Sequence, residues 1–420
     1  MSVLSLFGGQ KIRSKPFPNH PMIGEEEKAQ VLEVLKSGNL STFIASAGEY
    51  FLGGKKIREF EDKFSQKIGT KYGVAFNSAT SALHAAVVAV GIKPGEEVIV
   101  PPYTFTSTAT SALMHNAIPV FCDVKKDTYC INPHLLENVL TPLTRAVIPV
   151  HLFGHACDMD EIMSFSRKNN LKVIEDCAQA PGGQYKNQNL GTIGDCGVFS
   201  FQESKTIMTG EGGMLLTNNE NIANVARLIR NHGEVIQSDS KQRSYISELL
   251  GWGYRMTELE AAIGIAQVSK LDHFNNERNK LCNYLSNEIN KIDGLTHVRY
   301  DFVKHAYYVF AFSFNKEKIG ITRDLFVKAL NAEGIPCFAG YVKPLYLSPL
   351  YTEKRAFAFK HYKGNVKYEK GICPVAESLY EKELVGTVVA RPPATLEDMS
   401  DIIKAIHKII ENKDEILRYS

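Results

Sequence analysis

An amine, a carboxylate and a group of small hydroxyl-bearing residues stand at the ends of apolar runs in this sequence. Lys205 closes Phe199-Ser200-Phe201-Gln202-Glu203-Ser204-Lys205, just ahead of the glycine-rich Thr209-Gly210-Glu211-Gly212-Gly213. Asp176 stands 29 positions upstream and ends the run Val173-Ile174-Glu175-Asp176. Asn77-Ser78-Ala79-Thr80 closes a third apolar stretch and opens the helical pattern of residues 81–88. Each feature has a plain reading: a solvated lysine, a salt bridge, an N-cap by Ser78 or Thr80. For the 77–80 stretch taken alone, the plain N-cap is the stronger reading. Their chemistry is complementary, however. A desolvated lysine is a nucleophile or a base, and a buried carboxylate calls for a cationic partner. Small residues at a helix start let backbone N–H groups approach a phosphate, which the helix dipole favours.

Together these are the parts of a pyridoxal phosphate (PLP) pocket. Lys205 would form a Schiff base with the cofactor's aldehyde. Asp176 would pair with the protonated pyridine nitrogen and keep the ring an electron sink. Ser200 would hydrogen-bond the phosphate, and Gln179 would come within reach of the ring's phenolic oxygen. Crowding among Phe199, Phe201 and the cofactor is expected to depress the Lys205 pKa. His151 and His155 have a metal-like spacing of four, but Phe153-Gly154 between them argues against a helix. No metal site is expected.

The elements that must hold these residues follow from pattern. Between about residues 71 and 218, short apolar runs alternate with helical patterns, the mark of a mostly parallel sheet covered by helices. Strands are expected at 97–100, 117–121, 146–153, 172–175, 197–201 and 213–217, with Pro149 weakening the third. Ligands of such sheets collect at the carboxyl ends of strands, where Asp176 and Ser200 fall. Ile57, Phe60, Phe64 and Ile68 have helical spacing. After Leu271 a long polar helix (272–292) leads to an alternating strand at 306–314, then to helices at 323–333 and 399–412. This reads as a large domain over 1–271 with an N-terminal arm and a smaller α+β domain over 272–420. Residues 338–370, rich in Pro and Tyr, are expected to form long loops, which often frame a substrate entrance.

Bulk properties narrow the class. The chain has 420 residues, 44% hydrophobic and 22% charged, enough for a sizeable core and more than one compact unit. A formal charge of +2 without single-sign runs points away from nucleic acid and acidic membranes. The eight cysteines are scattered without a Cys-x-x-Cys pair, which suits buried thiols in a reducing compartment. With no signal-like N-terminus and no apolar stretch of spanning length, a cytoplasmic protein is expected.

In order and spacing, these motifs resemble the DegT/DnrJ/EryC1/StrS family of PLP-dependent sugar aminotransferases, of PLP fold type I. The matching stretches are Asn77-Ser78-Ala79-Thr80-Ser81, Pro94-Gly95-Glu96-Glu97-Val98, Tyr103-Thr104-Phe105, Val150-His151-Leu152-Phe153-Gly154, Glu175-Asp176-Cys177-Ala178-Gln179, Phe199-Ser200-Phe201 with Lys205, Gly210-Glu211-Gly212-Gly213, Arg230-Asn231-His232-Gly233 and Tyr254-Arg255-Met256. The resemblance implies that Lys205 carries the internal aldimine and shuttles the proton, that Asp176 pairs with the pyridinium, and that Gln179 meets the phenolic oxygen. It implies that Phe105 stacks on the ring, and that Ala79 and Thr80 hold the phosphate with Ser200. It also implies a homodimer with its active site at the subunit interface, near Tyr254-Arg255. An amino group would pass from L-glutamate or L-glutamine to a keto group of a sugar nucleotide or cyclitol.

Relatives that carry histidine in place of this lysine dehydrate instead, so Lys205 favours amino transfer. The alternatives are a PLP-dependent sugar dehydratase and a non-catalytic PLP-binding regulator. Leu6-Phe7-Gly8-Gly9 and Gly340-Tyr341-Val342-Lys343-Pro344 resemble the branch acting on cyclitol ketones such as 2-deoxy-scyllo-inosose. Gly253 stands where the family places an asparagine that reaches the partner's phosphate, so a backbone N–H or a water would have to substitute. The stretch 41–52 departs from the family pattern and is expected to border the substrate.

Overall fold

The structure, a computed structural model, describes residues 3–43, 48, 50–236 and 246–419. Residues 44–47 and 49, inside the stretch expected to border the substrate, lie outside the described residues.

A seven-stranded sheet organises the larger core. Its strands are β1 (Tyr72–Phe76), β2 (Glu97–Val100), β3 (Ile118–Phe121), β4 (Thr144–Val147), β5 (Lys172–Asp176), β6 (Cys196–Ser200) and β7 (Gly213–Thr217), in the spatial order β1-β7-β6-β5-β4-β2-β3. The pairs β2–β3, β2–β4, β4–β5 and β5–β6 are parallel, while β7 runs antiparallel to both β6 and β1. All strands but β7 therefore point the same way, and the residues after β1, β2, β5 and β6 gather along one edge. Helices cover both faces, which is why these strands are continuous apolar runs such as Val98-Ile99-Val100, all fully buried.

The 146–153 strand is shorter than expected: β4 ends at Val147, and after Pro149 the chain turns through a helical corner at Leu152–Gly154. A proline cannot donate to the ladder, and Phe153 takes a left-handed φ of 57°. The edge strand β1 was not among the expected strands; Tyr72-Gly73 at its start weakens the apolar run.

The helix Lys55–Ile68 buries Ile57, Phe60, Phe64 and Ile68 as their spacing requires. Phe60 lies against Gly264 of the long helix Glu258–Ile289; a Cβ at Gly264 would come within 2.6 Å of its ring. The polar helix expected from residue 272 begins at Glu258, capped by Thr257 with Glu260 in a capping box, and position 271 falls inside it. Its first half is apolar because it packs on the large core, so its polar pattern emerges only later.

A second core surrounds a four-stranded sheet of Leu295–Thr296, Phe310–Phe314, Leu384–Thr387 and Phe338–Ala339. The strand expected from 306 starts at Phe310, because Tyr307 adopts a φ of 46° and the 306–309 backbone bonds to Phe153 and Gly154 instead. Among the described residues, no helix is long and apolar enough to cross a membrane.

Candidate active site

A cavity of about 440 Å³ opens at the carboxyl edge of the sheet, and every sequence-predicted site residue lines it: Ala79, Thr80, Phe105, Asp176, Gln179, Ser200 and Lys205.

Asp176 ends β5 and is buried. One carboxylate oxygen accepts the Thr108 hydroxyl at 2.8 Å and the other the Ala178 N–H at 3.1 Å. Burial pushes its pKa up, against the opposing pull of these two donors and the Lys205 charge. Asp176 has no ion-pair partner among the described residues. A cation in the cavity would remove this penalty.

Residues 78–80 form the start of the helix Ala79–Ala89. Ser78 is its N-cap, accepting the Ser81 N–H at 3.1 Å, so the plain capping reading holds for that side chain. The first-turn N–H groups of Ala79 and Thr80 have no acceptor within the helix and border the cavity. Gly213 lets β7 pass directly behind them: a Cβ there would lie 2.5 Å from the Ala79 nitrogen. Ser200 joins them from the end of β6, and its hydroxyl accepts only a long 3.4 Å bond from the Gln202 N–H.

Lys205 is half-buried, and its Nζ lies 4.3 Å from the centre of the Tyr308 ring. The aromatic crowding expected from Phe199 and Phe201 is corrected: both rings point into the core, where they pack on Phe60 and Phe64. They follow the alternation of β6, which sends them away from Lys205. The Tyr308 hydroxyl is fixed by Ser204 at 2.9 Å.

Gln179 is oriented by two bonds, accepting the Phe153 N–H at 2.7 Å and donating to the Tyr341 hydroxyl at 3.1 Å. Its second amide hydrogen remains for a ligand. Phe105 is 58% exposed at the cavity wall, which excludes core packing as its role.

The cavity therefore suits PLP: an unpaired buried carboxylate, an amine, open helix N–H groups and an exposed aromatic face one space. His151, Glu175 and Cys177 lie close enough to ligate an ion. Two of the three are already engaged: Glu175 accepts the Gly191, Ile193 and Gly194 N–H groups and bonds His151, whose Nδ1 accepts the Cys157 N–H. His155 sits apart from them, with Nδ1 on the Ala156 carbonyl.

Sequence reasoning missed Thr108, Tyr308 and Tyr341. Thr108 had a local signal, four residues after Thr104 in a threonine-rich helix start, where the two hydroxyls meet at 3.2 Å. Tyr308 and Tyr341 come from the smaller unit; Tyr308 had none, and Tyr341 stood only within the Gly340–Pro344 stretch and the 338–370 segment expected to frame an entrance.

Known proteins are similar to this chain over most or nearly all of their length. A putative L-glutamine:3-amino-2,3-dideoxy-scyllo-inosose aminotransferase of Streptoalloteichus tenebrarius is 34% identical, over 99% of this chain and 99% of its own. The GDP-perosamine synthase of Caulobacter vibrioides is 36% identical over 79% of this chain and 85% of its own. The crystal structure of an aminotransferase from Psychrobacter cryohalolentis superposes with a TM-score of 0.85 at 30% identity, over 94% of this chain and 99% of that one. The model of the DegT/DnrJ/EryC1/StrS aminotransferase family matches residues 21–407, and this chain belongs to that family of PLP-dependent enzymes.

Proposed function

We propose that this aminotransferase moves an amino group from L-glutamate or L-glutamine to a keto group of a sugar nucleotide or cyclitol, with Lys205 as the covalent anchor of its cofactor. One observation carries the reading: the Lys205 amine, the cation-free Asp176 carboxylate and the open N-terminus of the helix Ala79–Ala89 line a single cavity. Bound PLP supplies an electron sink for the pair left when the donor's amine-bearing carbon loses its proton.

The chain's own groups would do the rest. Asp176 would hold the proton on the pyridine nitrogen, while Thr108 and Ala178 keep its carboxylate aimed. The Ala79 and Thr80 N–H groups, the Thr80 hydroxyl and Ser200 would bind the phosphate. Gln179 would donate to the phenolic oxygen, and Phe105 would cover one face of the ring. Lys205 Nζ, held beside Tyr308, would carry the proton to and from the substrate carbon. A lysine at 205 supports amino transfer over dehydration. The scyllo-inosose and perosamine relatives support a cyclitol or sugar acceptor.

A homodimer belongs to the same reading. Leu250 is 75% exposed beside Gly251-Trp252-Gly253-Tyr254, an apolar side chain suited to a subunit contact. The visible spectrum of the PLP-loaded protein tests the proposal. Its yellow band is expected to fade when L-glutamate or L-glutamine is added without acceptor, and a band indifferent to both donors would contradict the reading.

A further inference from the structure

Two tyrosines of the smaller unit, Tyr308 and Tyr341, line the cavity, and the hydrogen-bond network fixes where their hydroxyl protons go. Gln202 Oε1 accepts the Ser204 N–H at 2.9 Å, and a backbone N–H can meet only the carbonyl end of that amide. The Ser204 hydroxyl lies 2.6 Å from the same oxygen, so it is the donor there and its single proton is used. Ser204 Oγ and the Tyr308 hydroxyl are 2.9 Å apart, and the proton between them must come from Tyr308. Through its oxygen Tyr308 therefore offers the cavity lone pairs without a proton. Tyr341 has the opposite polarity. Gln179 Oε1 is held by the Phe153 N–H, so its amide nitrogen donates to the Tyr341 oxygen at 3.1 Å and leaves the Tyr341 proton free.

Tyr308 is also fixed in place. Its N–H donates to the Phe153 carbonyl at 2.8 Å, its ring centre lies 4.3 Å from Lys205 Nζ, and Ser204 holds its oxygen. In the proposed reaction Lys205 Nζ meets the reacting carbon, so the Tyr308 oxygen reaches groups on the carbons beside it and none several bonds away. An acceptor without a proton cannot bond a carbonyl or ether oxygen, but it can take the O–H of an alcohol. A ligand lacking that O–H would cover the oxygen and leave it unpaired, a penalty larger than the loss of one bond.

We infer that Tyr308 is a specificity-determining residue, its oxygen accepting a hydrogen bond from a substrate hydroxyl on the carbon next to the keto group. The acceptor class is then an α-hydroxy ketone: a ring whose neighbouring carbon keeps its free hydroxyl, in preference to one deoxygenated or O-alkylated there. This deepens the proposed function and rests on it, since Lys205 places the reacting carbon.

The test reads binding from the visible band of the PLP-loaded protein. The ligands are cyclohexylamine, 2-aminocyclohexanol in its better-bound isomer, and the O-methyl ether of that isomer. Wild type is expected to bind the amino alcohol roughly 10-fold more tightly than cyclohexylamine. Tyr308→Phe, which keeps the ring over Lys205, is expected to bind the two within about twofold of each other. Ser204→Ala releases the Tyr308 proton, so the ether, which only accepts, is expected to gain several-fold on cyclohexylamine relative to wild type. Equal binding of amino alcohol and cyclohexylamine by wild type, or failure to bind either, would overturn the inference. So would a preference kept by a Tyr308→Phe protein of wild-type melting temperature and cofactor band, or an ether that gains nothing in Ser204→Ala. These titrations are independent of the amino-acid donor. A protein that shows the preference yet is inert to L-glutamate and L-glutamine would sink the function and keep the role of Tyr308; amino transfer without the preference would do the reverse.

Discussion

Glu175 and Asp176 are adjacent carboxylates, both buried at the end of β5, and they meet opposite surroundings. Successive side chains on a strand face opposite sides of the sheet. Glu175 turns to the 191–194 loop, where its oxygens accept three backbone N–H groups at 2.7 to 2.8 Å and bond His151 at 3.1 Å. Asp176 turns to the cavity, where a hydroxyl and one N–H meet it and burial raises its pKa. One carboxylate completes the fold; the other is left with unmet demand for a cation. Burial and residue type do not separate the two roles. The supply of donors does.

The contrast can be broken from either side. Asp176→Asn should carry the largest effect on activity, lowering turnover by roughly 100-fold or more. The same variant should leave the cofactor-free protein at least as stable as wild type at pH 7. The sign follows from the raised pKa: the unfolded chain ionises this carboxyl first. Wild type therefore loses stability relative to Asp176→Asn as pH climbs from the ordinary carboxylate range through the raised value, and the difference vanishes below that range. Urea melts of both cofactor-free proteins across pH would show it, and a less stable Asp176→Asn at pH 7 would dissolve the distinction.

Glu175→Gln should do the reverse. An amide NH₂ set against backbone donors leaves buried groups unsatisfied and should cost about 2 kcal/mol of stability, cofactor present or absent. Per molecule of folded enzyme, turnover should stay within a few-fold of wild type. The smallest effect should come from Thr108→Val, which removes one of the two donors on Asp176 and should cost about 1.5 kcal/mol. Its cofactor affinity should fall several-fold in a spectroscopic titration, because the carboxylate loses a donor that favours its charged form.

The same division explains what could be read in the chain before its structure. The floor of the site belongs to short apolar strands whose ends can each be read from the local sequence, so Asp176, Ser200 and the Ser78 turn announced themselves by position. The roof comes from far along the chain. Tyr308 is aimed by a left-handed Tyr307 and by bonds from the 306–309 backbone to Phe153 and Gly154. An aromatic residue at positive φ leaves no local signature. Tyr341 is placed by the Tyr103 hydroxyl, which accepts its N–H at 2.8 Å across 238 positions of sequence. The misplaced surroundings of Lys205 have the same origin: Phe199 and Phe201 were neighbours in sequence, but strand alternation sends them to the core and leaves Tyr308 in their place.

The account turns on Lys205 being the amine that holds the cofactor. Borohydride reduction of the PLP-loaded protein, followed by peptide mass mapping, tests this most directly. The account predicts that the cofactor is fixed on the peptide carrying Lys205 and is absent from Lys205→Ala treated in the same way. Fixation on another lysine, or equal labelling of the Lys205→Ala protein, would contradict it.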